Sequence, residues 1–398
     1  MRGPVDGPLA ILRAMRAIDA MRLAVVVFWA VTSFVVQGAE TTPTWIRVFD
    51  DSGHSAFLDM IQADDGTVLV VGATNHRHMP PYSGDALIMA LDVDGGVVWE
   101  RTWGGDRYEQ AWGVLLDDGG FYVFGETDSY GAGDRDFFLL RMTPDGDAAW
   151  FRTYGTAARE WPYGALRLAN GDLFLFGMTR SSVDGDSGYA VRVSAAGDII
   201  WEYAPPASDD ELILDALETE DGRIVLCLSV DEDGGLRALD AGGSELWSER
   251  YLLDGWQFAS TMLAAESGYL LAGFSMQESG SRHQADVWLA QADPSGELLR
   301  DVTFGEAEVD DYAQTLTQLV DGTYLIGGLG RGMPLFHIDA EGKVMWEYRL
   351  EDTSVHAAEA IIELDDGGLL ICGMKQVAPG RLYQGVLLRL DDRYSIGL

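Results

Sequence analysis

The chain has 398 residues, 47% hydrophobic and 23% charged, with 48 Gly, 12 Trp, two Cys and a formal charge of −37. That is apolar enough for a large buried core and excludes disordered and collagen-like chains. The charge argues against nucleic acid as a partner, since phosphate binding draws on Lys and Arg; two cysteines build neither a disulfide framework nor a thiolate zinc site.

Leu23 to Val36 is the first element, a 14-residue apolar run preceded by Arg22 and followed by Gln37-Gly38-Ala39. A basic flank, a short apolar stretch and a small-residue exit predict a secretory signal peptide over 1–38, with Met21 an alternative start. The run is shorter than the roughly 20 residues of a membrane span. The expected product is a secreted or periplasmic domain over 39–398, with no span after signal removal.

From Trp45 onward one unit repeats. Tryptophans recur at Trp45, Trp99, Trp150, Trp201, Trp247 and Trp346, with Arg300 in the equivalent place before the last. A turn glycine precedes each later anchor by four residues, as at Gly95, Gly146, Gly197 and Gly243. Each anchor leads to an apolar stretch and then to an Asp-Gly or Asn-Gly hairpin turn such as Asp65-Gly66, Asp118-Gly119 or Asn170-Gly171. Two further apolar strands complete the period of about 50 residues. Four short antiparallel strands per period, repeated seven times, predict an all-β, seven-bladed β-propeller. Trp45 opens an isolated strand, and the strand near 385–391 has no anchor of its own. The first strand is therefore expected to close the last blade.

The segments LDVDGGVVW, LDAGGSELW and IDAEGKVMW resemble the repeat of the pyrroloquinoline-quinone-like propeller superfamily. That resemblance implies tryptophans docked between neighbouring blades. It implies no quinone here, because the family's adjacent cysteine pair has no counterpart. Cys227 and Cys372 fall in different repeats and are expected to be free buried thiols.

Counting eleven residues back from each hairpin glycine marks the entrance to the innermost strand. The residues there are Ser55, Tyr108, Glu160, Glu211, Gln257, Asp311 and His356. Varied polar side chains in otherwise repetitive blades form the candidate binding ring of the funnel, with Trp112, Trp161, Tyr163, Trp256, Phe258 and Tyr312 as flanking aromatics. Calcium would be held at Asp92-Val93-Asp94-Gly95 or Asp231-Glu232-Asp233-Gly234, but neither continues into a twelve-residue loop with a closing Glu, and no cofactor is expected. His76 and His78 read as solvated loop residues. The sequence thus points to a monomeric, non-enzymatic binding or scaffold module. A protein or glycan partner would meet the variable-loop face. The alternative is a carbohydrate-active hydrolase or lyase using Glu160, Glu211 or Asp311.

Overall fold

The computed structural model describes residues 43–49, 55–77, 83–181, 185–205, 210–231, 233–279, 282–306, 309–378 and 382–391. The leader read over 1–38, and His78, lie outside them. Among the described residues the regular elements are 28 β-strands, and no helix is long and apolar enough to cross a membrane.

Strand β1 (Trp45–Phe49) comes first. A four-stranded sheet follows: β2 (Ser55–Gln62), β3 (Val68–Arg77), β4 (Ser83–Leu91) and β5 (Val97–Trp103). The second sheet is β6 (Glu109–Asp117), β7 (Gly120–Thr127), β8 (Asp136–Met142) and β9 (Ala148–Tyr154). The third is β10 (Arg159–Arg167), β11 (Leu173–Ser181), β12 (Gly185–Val193) and β13 (Ile199–Tyr203). The fourth holds β14 (Glu211–Glu218), β15 (Ile224–Val230), β16 (Asp233–Leu239) and β17 (Glu245–Arg250). The fifth holds β18 (Trp256–Ala265), β19 (Gly268–Ser279), β20 (Arg282–Ala292) and β21 (Leu298–Phe304). The last sheet has eight strands. One half is β22 (Tyr312–Gln318), β23 (Tyr324–Leu329), β24 (Leu335–Ile338) and β25 (Val344–Tyr348). The other is β26 (Val355–Glu363), β27 (Leu369–Ala378) and β28 (Leu382–Leu390), with β1 on its outer edge. A single pairing, Leu329 opposite Ala357, joins the halves. All pairings between named strands are antiparallel; β1 meets β28 with Trp45 opposite Arg389 and Phe49 opposite Gly385.

The core lies between sheets. Middle strands such as β15 (IVLCLSV) are buried along their whole length, because both faces meet a neighbouring sheet, so they read as continuous apolar runs rather than as an alternation. Val225, Cys227 and Leu236 of the fourth sheet pack with Met262, Tyr269 and Leu271 of the fifth. Phe57 and Met60 of the first pack with Leu370, Cys372 and Leu387 of the last. Both cysteines are free and buried, and burial pushes each thiol up.

Specific contacts also tie each unit to the next. The Asp59 carboxylate accepts from the Val114 amide at 3.0 Å, Arg167 pairs with Asp117 at 2.9 Å, and Glu218 accepts from the Ala169 amide at 2.6 Å. Asp215 accepts from the Met262 amide at 2.7 Å, and the Ala285 carbonyl from the Asp311 amide at 2.8 Å. Thr317 donates to the Ile361 carbonyl at 3.1 Å, and the Ser55 hydroxyl accepts from the Gly385 amide at 3.2 Å.

The tryptophans sit on the outer strands and cover the turn glycine of the following unit. A Cβ at Gly146 would stand 3.0 Å from the Trp99 ring, and one at Gly197 3.0 Å from Trp150. Where Arg300 replaces the tryptophan, Leu289 covers the glycine instead, 2.8 Å from where a Gly342 Cβ would stand, and Arg300 bonds Gln291 at 2.8 Å. The departure in the sequence is thus a local exchange of one apolar cover for another.

These glycines also need positive φ, +85° at Gly197 and +88° at Gly171, and Gly171 has open space about it. Gly171→Ala is expected to cost about 1 kcal/mol from backbone strain alone. Gly197→Ala should cost roughly 1–3 kcal/mol more, from displacing the Trp150 ring. Equal losses on chemical denaturation would refute the packing role of the ring.

Candidate functional site

The residues of the predicted ring lie at the start of the inner strands, and all are buried, Glu160 and Asp311 completely. Six of the seven sit three residues before a β-bulge, which falls at Leu58, Tyr163, Leu214, Ser260, Gln314 and Glu359. In the second sheet the bulge is at Trp112, so the equivalent residue is Glu109, not Tyr108. The reason is turn length. Asp117 stands directly opposite Gly120, leaving only Asp118-Gly119 in the turn, whereas Ala63–Thr67 elsewhere form a five-residue connection. Counting from Gly119 therefore lands one residue short.

Most of these side chains cap the connection that leads into their own sheet or pair within it, while Ser55 reaches Gly385 of the last sheet. Glu160 accepts from the Thr156 hydroxyl and the Thr179 hydroxyl, both at 2.7 Å, and from the Thr156 amide at 3.1 Å. Glu109 accepts from the Thr127 hydroxyl at 2.8 Å and the Gly105 amide at 2.8 Å. Glu211 pairs with Arg237 at 2.7 Å and Asp311 with Arg349 at 2.8 Å. Burial raises the Glu160 and Glu211 carboxyls, opposed by the bonds each accepts. Gln257 donates to the Asp254 carbonyl at 2.9 Å, and His356 is held down by burial, against a hydrogen bond with Gln376. No hydrogen bond or ion pair joins Glu160, Glu211 and Asp311 to one another among the described residues. The Asp92 carboxylate serves its own turn too, accepting from the Gly96 amide at 2.6 Å.

The bulges build a second feature that the repeat did not announce. A bulge turns one extra side chain out of the alternation, and these side chains line a central cavity of about 270 Å³. Leu58, Trp112, Tyr163 and Leu214 line it from the first four sheets, with Phe124 and Phe176, and Ser260, Gln314 and Glu359 from the fifth sheet and the two halves of the last. Asp59 and Asp215, each directly after a bulge, also face it. Enclosure by the inner strands raises Asp59 to about 7 and Asp215 to about 6.

On the loop side, between the second and third sheets, lies a cluster of arginines on aromatic rings. The Arg159 guanidinium stands 4.2 Å from the centre of the Trp161 ring, Arg180 5.2 Å and Arg135 5.9 Å; Arg135 also lies 4.6 Å from Tyr108. Two of the three are neutralised. Arg135 pairs with Glu126 at 2.8 Å and Asp128 at 2.6 Å, and Arg180 with Asp186 at 2.5 Å. Arg159 has no carboxylate partner among the described residues, and its buried Nε has no hydrogen-bond partner. Burial first, and then the neighbouring Arg135, hold its pKa down. Three arginines against the three carboxylates Glu126, Asp128 and Asp186 leave Arg159 the member of the cluster without an ion pair of its own among the described residues. The sequence showed Trp161 as a flanking aromatic, but Arg135 and Arg180 come from other strands and only the fold brings them to it.

No protein-family model matches the chain, and no curated protein matches it in sequence. Solved structures resemble it at low identity. YCF48 bound to D1 peptide matches at 12% identity and a TM-score of 0.55, covering 92% of this chain and 100% of that one. Drosophila Plexin A in complex with Semaphorin 1b matches at 10% and 0.53, covering 89% and 88%. The WD40 β-propeller domain of Doa1 matches at 11% and 0.52, covering 88% and 98%. Together with the radial sequence of four-stranded antiparallel sheets, these likenesses establish the chain's fold as a β-propeller.

Proposed function

We propose that this is an exported, monomeric, seven-bladed propeller with a repeat of the pyrroloquinoline-quinone-like kind. In this reading it binds a protein partner at its loop face and carries out no chemistry of its own. The first strand would complete the seventh blade. The observation that carries the reading is Arg159: a guanidinium stacked on Trp161, partly desolvated, and lacking the carboxylate its two neighbours have. Such a group gains a charge-assisted, bidentate bond when a partner's carboxylate arrives, and stacking fixes the plane of the fork beforehand. Two structures of similar fold, YCF48 with a peptide and Plexin A with Semaphorin, are complexes with polypeptide partners, which supports a polypeptide here. The ring carboxylates favour the non-catalytic reading, because each is engaged within its own blade; we assign Glu109, Glu160, Glu211 and Asp311 to holding the loop surface in place.

The test is selection of displayed 12-residue peptides on the full chain, followed by affinity measurement on Arg159→Ala. Enrichment of peptides bearing Asp, Glu or a free C-terminus is expected. Their affinity should fall at least about tenfold in the variant, a change of 1.4 kcal/mol, with an unchanged melting temperature. Selected peptides that bind the variant equally well would remove Arg159 from the interface, and enrichment of uncharged glycans over peptides on an array would replace the protein reading.

A further inference from the structure

We propose that the partner segment read by Arg159 also carries a large aromatic side chain four residues from its Asp or Glu, and that this side chain enters the central cavity. The inference rests on the loop-face reading above and names a second anchor of the same segment. Apolar packing elsewhere links neighbouring units in pairs. One cluster instead draws on the third, fourth, fifth and last sheets together, through Met178, Leu212, Phe258, Leu329 and Ala357. Side chains from so many sheets meet only where the inner strands converge. Trp161 packs against this cluster beside Tyr163 and Leu214, and Tyr163, Leu214 and Phe258 also line the cavity. An apolar path therefore runs from the ring that carries Arg159 to the cavity wall.

The chemistry of the cavity selects what enters it. Trp112, Phe124, Tyr163, Phe176 and Phe258 contribute rings to the wall. None of the described residues that line it is Lys, Arg or His, so nothing there would meet a second carboxylate. Asp59 and Asp215 are met by backbone amides at 3.0 and 2.7 Å, and burial favours their neutral forms, so nothing there calls for a cation either. An uncharged ring suits such a wall, since aromatic pairs gain from edge and offset contacts beyond the area they bury. A space of about 270 Å³, the volume of about nine waters, takes one side chain and not a folded element. The spacing follows from β10. Arg159 and Tyr163 lie four residues apart on that strand, about 13 Å at the rise of an extended chain. A partner running extended beside it covers the same distance in four residues, and residues four apart on an extended chain point to one face.

Residue-by-residue substitution of the displayed 12-residue peptides enriched on the full chain tests this. Enriched peptides are expected to hold Phe, Tyr or Trp four positions from Asp or Glu. Exchanging that ring for Ala, or moving it by one position, should weaken binding about tenfold. Leu214→Trp, which fills the cavity, should weaken the ring-bearing peptide by a similar factor and leave the affinity of its Ala counterpart unchanged. Acid-bearing peptides that lose affinity in Arg159→Ala but show no dependence on a ring would overturn this proposal and leave the loop-face reading standing. Ring-dependent peptides indifferent to Arg159→Ala would overturn the loop-face reading and, with it, the shared segment. No enrichment of any peptide would overturn both. If Leu214→Trp fails to fold, the peptide substitutions on the unaltered chain still decide.

Discussion

Trp150→Ala is expected to lower the stability of the whole chain by about 3 kcal/mol without touching the surface proposed around Arg159. The indole lies on β9 at the outer rim, where it packs against Tyr122 with ring centres 5.8 Å apart and covers Gly197 of the next blade. Truncating a large aromatic costs about 3–5 kcal/mol when the ring is fully enclosed. Trp150 is only half-buried, which places it at the lower end. Because the ring spans two blades, the cavity left behind cannot be filled by movement of one sheet alone. Denaturant titration should show a lower midpoint, with affinity for carboxylate peptides unchanged at temperatures where the variant is folded. Loss of binding at an unchanged midpoint would mean that the rim tryptophans are a recognition surface rather than a seam.

Asp215→Ala and Asp59→Ala should each cost about 2 kcal/mol, and the double variant about 4, since the two share no partner. The bulge in an inner strand frees a backbone amide that the sheet ladder no longer uses. The Asp59 carboxylate of the first blade takes the Val114 amide of the second, and that of Asp215 takes the Met262 amide and the Thr261 hydroxyl of the fifth, at 2.7 and 3.0 Å. Removing the acceptor leaves the buried Val114 and Met262 amides unmet, and an unmet buried donor costs about 1–3 kcal/mol.

The same carboxyls make a signed pH prediction. Their folded values, about 7 and about 6, lie above the ordinary 3.8, so between about pH 4 and 7 the folded chain holds protons that the unfolded chain has released. Their contribution to stability is therefore fullest at the acidic end and is lost as pH rises through the folded values. Asp59→Asn/Asp215→Asn removes the titration, and the stability difference between it and the parent should narrow or reverse on going from pH 5 to pH 8. A difference independent of pH would show that neither group titrates in that window.

Much of the fold was legible because the repeat is enforced by chemistry that leaves a mark in sequence. Positive-φ turns call for Gly, the seam calls for a large ring four residues later, and buried middle strands call for unbroken apolar runs. The position of the polar ring was legible as well, yet its meaning was not. Glu160 reads the same whether it awaits a ligand or caps Thr156 and Thr179, because the difference lies in what a neighbouring strand brings within 3 Å. The shift from Tyr108 to Glu109 came from the two-residue Asp118-Gly119 turn, which looks like the longer hairpins in sequence. The bulges were invisible for a related reason: the inner strands that carry Leu58 and Gln314 are only partly buried, with mixed apolar and polar residues along their length, so one extra residue there does not stand out from the pattern. Likewise Arg135, Arg159 and Arg180 are scattered over 45 positions of the chain, and only strand pairing gathers them around Trp161.

The pairing of β1 with β28 has a mechanical consequence. The Thr44 amide bonds the Arg389 carbonyl at 2.9 Å, and the Thr44 hydroxyl accepts from the Asp391 amide at 3.2 Å, so the chain enters β1 and leaves β28 at the same point. A load applied between those two points meets the strand pair end-on and opens it one rung at a time, as a zip opens, instead of shearing all five residue pairs together. The ring would thus yield at low force when pulled through its own ends, while a load on the loop face is shared among all the blades. A tether on either side of the domain would leave from this one spot on the rim.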